Sequence, residues 1–116
     1  MAQSIAERNA LLESLGDDAD LLREVIDTFL AVYPERLRKL QAAVTARDAE
    51  KIMQGSHSLR GSVSTFGAKS AVEAAETLES MGRQGKVAGV DEAFAKLERE
   101  MALVRADLEE MARNAS

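Results

Sequence analysis

Residues Val90–Met111 read VDEAFAKLEREMALVRADLEEM, and Val90, Phe94, Leu97, Met101, Val104, Leu108 and Met111 recur in alternating steps of four and three. That spacing writes one apolar seam along a helix, and so long a seam requires a partner helix of similar length. Upstream, Leu21, Leu22, Val25, Ile26, Phe29, Leu30 and Tyr33 follow the same period behind Asp17 and Asp18, which are good N-cap residues. Leu37, Leu40 and Val44 extend the pattern past Pro34, where the missing N–H and the ring clash predict a kink or a split into two pieces.

A further helix is expected from Asp48 to Phe66, ended by Gly67. Ser70 and Glu73 stand at capping-box spacing ahead of a stripe of Ala71, Val72, Ala75, Leu78 and Met81. Gly82, Gly85 and Gly89 then mark a loop. No segment alternates as a strand does. The reading is an all-α, antiparallel up-and-down four-helix bundle with a short additional N-terminal helix near residues 4 to 15.

With 116 residues, 46% of them apolar, the chain is expected to form one domain over 1–116 with a core of its own. There are three Phe, one Tyr and no Trp, so aliphatic residues and the five Met fill the interior. No cysteine is present, which excludes disulfides, thiolate nucleophiles and thiolate metal sites. The net charge of −5 comes from fifteen Lys and Arg dispersed among twenty Asp and Glu, the wrong distribution for nucleic acid. Nothing approaches the roughly 18 consecutive apolar residues of a membrane span, and Glu7 interrupts any signal-peptide core. A cytoplasmic protein, monomeric and without a membrane partner, is the expectation.

Projected at about 100° per residue, residues 48–66 place Ile52, Ser56, Leu59, Val63 and Phe66 on a buried stripe. His57, the single histidine, falls on the opposite side beside Met53, Arg60, Gly61 and Ser64 and meets solvent. Gly61 lies one turn beyond it, in a helix interior where Gly costs about 1 kcal/mol relative to Ala. A glycine there removes the side chain that would keep another protein from closing over the imidazole. Arg60 can reach an anion carried by the ring, and Ser58, Ser62, Ser64 and Thr65 keep the surroundings small and polar. The competing view is an incidental surface histidine beside a solvated arginine.

Other chemistries lack their residues. One His without Cys does not make a zinc site, a convex helix offers no oxyanion hole for a Ser–His–acid triad, and no phosphate-binding loop is present.

The run His57-Ser58-Leu59-Arg60-Gly61-Ser62-Val63-Ser64-Thr65-Phe66-Gly67-Ala68 resembles the signature of histidine phosphotransfer (HPt) domains: His, any residue, Leu, Lys or Arg, Gly, five varied residues, Gly. Two positions depart from it, Ser56 where Ala is frequent and Thr65 where Asn is common. The resemblance implies a phosphoryl carrier rather than an enzyme. His57 would accept phosphate from an aspartyl phosphate on a response-regulator receiver domain and pass it to another receiver, downstream of a hybrid sensor histidine kinase. It further implies that Arg60 offsets phosphoryl charge, that Gly61 grants the receiver access, and that Met53, Gln54, Ser58 and Ser64 belong to the docking surface. The distal ring nitrogen would carry the phosphate, with Glu76 or Glu79 on the next helix orienting the ring. No cofactor is implied for this chain, Mg²⁺ being expected on the partner receiver. The alternative function is a helical adaptor or inhibitor that binds a kinase or regulator by shape alone.

Overall fold

The computed structural model describes residues 18–114, and the expected N-terminal helix near residues 4 to 15 lies outside them. Four helices follow one another: α1 (Ala19–Thr45), α2 (Ala49–Ser64), α3 (Lys69–Arg83) and α4 (Val90–Asn114). Each packs on its neighbours in sequence and α1 closes the ring against α4. Turns this short force neighbouring helices antiparallel, and the bundle is up-and-down.

All seven seam residues of α4, from Val90 to Met111, are buried. They meet Leu22, Ile26, Phe29, Tyr33, Leu40 and Val44 of α1 across one core. α1 begins where expected, the Asp18 carboxylate accepting the Leu21 amide at 3.0 Å. It does not split at Pro34 but runs unbroken from Ala19 to Thr45. Both halves are anchored in the same core, and Phe29 holds the N-terminal half by stacking on Tyr33 at 5.1 Å and meeting Phe66 edge-on at 5.0 Å. Tertiary packing on either side outweighs the roughly 3 kcal/mol that an interior proline costs.

Two further local expectations are corrected. The Ser70–Glu73 capping box does not form: α3 starts at Lys69 behind Ala68, with no side-chain cap. Gly67 turns the chain at φ 68°, and burial of Phe66 and Ala68 pins that turn, so the helix start is set by packing. Gly82 is not in a loop but in the last turn of α3, where a Cβ would stand 2.6 Å from the Ala49 carbonyl oxygen and 2.6 Å from the Met53 amide nitrogen. The glycine lets α3 lie directly against the backbone of α2.

The turn between α1 and α2 is closed by Arg47, which adopts φ 55°. Its guanidinium donates to the Val44 carbonyl at 2.7 Å and to both carboxylate oxygens of Asp91, at the start of α4, at 3.0 and 2.6 Å. Ser56, on the buried face of α2, is fully enclosed and its hydroxyl has no hydrogen-bond partner among the described residues. An unmet buried hydroxyl costs about 1–3 kcal/mol, and Ala is also the better helix former. Ser56→Ala is therefore expected to raise stability by about 1 kcal/mol, read as a higher urea midpoint with unchanged slope. A lower midpoint would show that the hydroxyl is satisfied in solution.

Candidate functional site

α2 buries Ile52, Ser56, Leu59 and Val63 and so turns His57 outward, its side chain 64% exposed. The close approach at Gly82 brings the preceding turn of α3 to this histidine. There Glu79 is 5% exposed, a charged residue inside the bundle wall. Its Oε2 lies 2.9 Å from His57 Nδ1 and accepts from Arg83 Nη2 at 2.8 Å, while its Oε1 accepts from Arg60 Nε at 2.7 Å. Three donors around one enclosed carboxylate satisfy the rule that a buried charge must be paired and hydrogen-bonded.

Burial pushes the Glu79 carboxyl up, but the hydrogen bonds and charges of Arg60 and His57 outweigh it and hold the group below its ordinary 4.5. Glu79 is thus a standing anion at neutral pH.

Arg60 Nη2 also lies 2.9 Å from His57 Nδ1. A carboxylate only accepts and a guanidinium only donates, so Nδ1 can serve one of them at a time. Arg60 is already tied to Glu79 through Nε and is partly solvated, so Nη2 can turn its hydrogens to water, whereas an unprotonated Nδ1 would set its lone pair 2.9 Å from a carboxylate oxygen. The Nδ1–H tautomer, donating to Glu79, is the one that satisfies the network. The lone pair then sits on Nε2, which has no hydrogen-bond partner among the described residues.

The remaining expected site residues fall on both sides of His57. Arg60 and the half-buried Met53 face α3, and Met53 contributes backbone to the contact with Gly82. Gln54 and Ser58 are exposed on the side toward α1. Gly61 is exposed, and a Cβ placed on it meets nothing within 4 Å among the described residues. Ser64 is exposed a turn further along, its hydroxyl donating to the Gly61 carbonyl at 2.9 Å. Arg60 does not extend freely into solvent; its guanidinium is held at the Nδ1 edge of the ring.

Of the two acids considered as ring partners, Glu76 is exposed on α3 and Glu79 makes the contact. Arg83 was not singled out from the sequence, although Glu79 and Arg83 stand at the i, i+4 spacing of a helical ion pair. Among the described residues no group of His, Asp and Glu could hold a metal ion, and no helix is long and apolar enough to cross a membrane.

Comparison with known proteins places this geometry. The chain is similar to histidine-containing phosphotransfer protein B (HptB) from Pseudomonas aeruginosa PAO1, whose crystal structure superposes with a TM-score of 0.83 at 29% identity, covering 94% of this chain and 92% of that one. No curated protein matches it. The family model of the Hpt domain matches residues 24–113, which take in α2, α3 and all but the ends of α1 and α4 together with the whole His57 neighbourhood, and the chain therefore belongs to the Hpt family, the histidine phosphotransfer domains of phosphorelays.

Proposed function

We propose that His57 is the phosphoryl carrier of this protein, accepting phosphate on Nε2 from an aspartyl phosphate of a receiver domain and returning it to the aspartate of another. The observation that carries this reading is the Nδ1–Glu79 hydrogen bond beside an exposed Nε2. The Nε2 lone pair attacks phosphorus, the N–P bond forms, and the bond from phosphorus to the aspartyl oxygen breaks to release a carboxylate. The ring keeps its Nδ1 proton and becomes positive. Glu79, already ionised and hydrogen-bonded to that proton, stabilises the imidazolium as it forms. Delivery runs the same steps in reverse.

Imidazole needs no adjacent base to act as a nucleophile near neutral pH. The receiver supplies its own aspartate, lysine and Mg²⁺, and catalysis lies in positioning and charge. Arg60 and Arg83 leave the cluster with Glu79 net positive, which favours an incoming phosphoryl group.

Incubation with a receiver domain carrying aspartyl phosphate is expected to give acid-labile, base-stable label on His57. Absence of label, or label elsewhere, overturns the reading and returns the bundle to an adaptor role. Glu79→Ala is expected to slow transfer about tenfold to a hundredfold by freeing the ring and its tautomer. Imidazole ¹⁵N spectra should show Nδ1 protonated in the parent protein and a mixture in the variant; a parent ring protonated at Nε2 contradicts the assigned tautomer.

Among the described residues Gly61 has no internal contact that requires it, and its cost is assigned to partner access. Gly61→Ala should stabilise the fold by about 1 kcal/mol, while Gly61→Gln should impair transfer without lowering stability. Normal transfer by Gly61→Gln removes that role.

A further inference from the structure

Arg83 is the last residue of α3 and reaches back one turn to Glu79. At this spacing an ion pair is ordinarily a solvated contact of little consequence. Glu35–Arg38 and Arg105–Glu109 are of that kind, both members of each lying open to solvent. Glu79 differs because it is enclosed, and because the oxygen that accepts from Arg83 Nη2 at 2.8 Å is Oε2, the same oxygen that lies 2.9 Å from His57 Nδ1. Arg60 Nε holds the other oxygen, Oε1, at 2.7 Å.

A carboxylate needs two anchors to fix its plane. The terminal torsion of a glutamate is broad, so a group gripped at Oε1 alone can turn about that oxygen and carry Oε2 away from the ring. A donor on Oε2 removes this freedom. The backbone from which Arg83 reaches is itself held, since Gly82 before it is pressed against α2 at Ala49 and Met53.

The orientation of that plane decides the state of Nδ1. Glu79 Oε2 and Arg60 Nη2 both lie 2.9 Å from it, and they require opposite tautomers. The carboxylate needs a proton on Nδ1, which leaves the lone pair on Nε2. A guanidinium donating to Nδ1 puts the proton on Nε2, where no lone pair remains for attack on phosphorus. Arg60 stays tied to Oε1 whichever way Nη2 turns, so the outcome follows the position of Oε2.

We propose that Arg83 is a positioning residue: by holding Oε2 of Glu79 against Nδ1, it keeps the His57 proton off the nucleophilic nitrogen. Beyond the positive charge it shares with Arg60, it acts through Glu79. The consequence for transfer rests on the carrier reading above, whereas the tautomer does not.

Arg83→Met keeps the stem and removes the donors. Imidazole ¹⁵N spectra of the unphosphorylated protein, taken at a pH where the ring is neutral, should pass from Nδ1–H in the parent to a mixture with Nε2–H in the variant, the helical spectrum being unchanged. Arg83→Lys, which restores a donor, should recover most of the parent signal. Transfer from a phosphorylated receiver should slow about threefold to tenfold at saturating receiver, with the half-saturating concentration unchanged. In a Glu79→Ala background the same Arg83→Met change should slow transfer by less than about twofold, because residues that act as one unit are not additive. A parent-like tautomer in Arg83→Met overturns the proposal. So does an equal slowing with and without Glu79, which would place Arg83 on the phosphoryl group or the receiver. The spectra need no phosphate, so a protein that takes no label defeats the carrier reading alone, while the tautomer decides the assignment of Arg83.

Discussion

His57→Gln is expected to reduce label from a phosphorylated receiver to background, a loss larger than that of any other single substitution here. An amide nitrogen has no available lone pair for attack on phosphorus, so no slow residual route through position 57 exists. The fold should not suffer. The side chain is 64% exposed, contributes nothing to the core, and the Gln amide can donate to Glu79 in place of Nδ1–H. Stability is expected to stay within about 0.5 kcal/mol of the parent, as for most surface changes. The paired measurement is phosphate incorporation and the urea midpoint. A variant that folds and still takes up acid-labile phosphate places the carrier elsewhere.

Gly82→Ala should produce the largest loss of stability. The substitution gains about 1 kcal/mol of helix propensity, and an opposing term decides its sign. The new methyl would stand 2.6 Å from both the Ala49 oxygen and the Met53 nitrogen and 3.0 Å from the Met53 Cα. These are backbone atoms of a packed helix, which cannot swing away as a side-chain end can. α2 and α3 must part, loosening the layer of Ile52, Leu59, Ala75 and Leu78 between them. Overpacking of this kind costs about 1–3 kcal/mol, more when backbone must move, so a net loss of about 2 kcal/mol is expected in denaturant unfolding.

The same separation draws Glu79 from His57, so transfer should slow even where the variant remains folded. Gly61→Ala, the identical chemical change on the facing helix, carries the opposite sign because nothing among the described residues lies within 4 Å of its new methyl. A Gly82→Ala protein as stable as its parent would refute the close-contact account.

The apolar seams were readable because helical period is a local property: Val90 to Met111 are buried as their spacing demands, and so are Ile52, Leu59 and Val63. The outward placement of His57 followed from the same projection. Position-specific punctuation was less reliable. Pro34 and the Ser70–Glu73 pair are strong local signals, yet packing on both sides of the proline and the buried turn at Phe66 and Ala68 overrode them. Gly82 resembles a loop glycine in one dimension, and only contact with another helix shows what its missing Cβ is for.

The sequence by itself determined that this is a bundle of helices with a solvent-facing histidine and an open glycine beside it, since each of those features depends on residues within a few turns of one another. Tertiary structure alone decided which nitrogen of His57 is free. Glu79 and Arg83 are distant from the histidine along the chain, and their approach depends on how closely α2 and α3 can lie, a distance set by the backbone contact at Gly82. That arrangement has no local period to betray it.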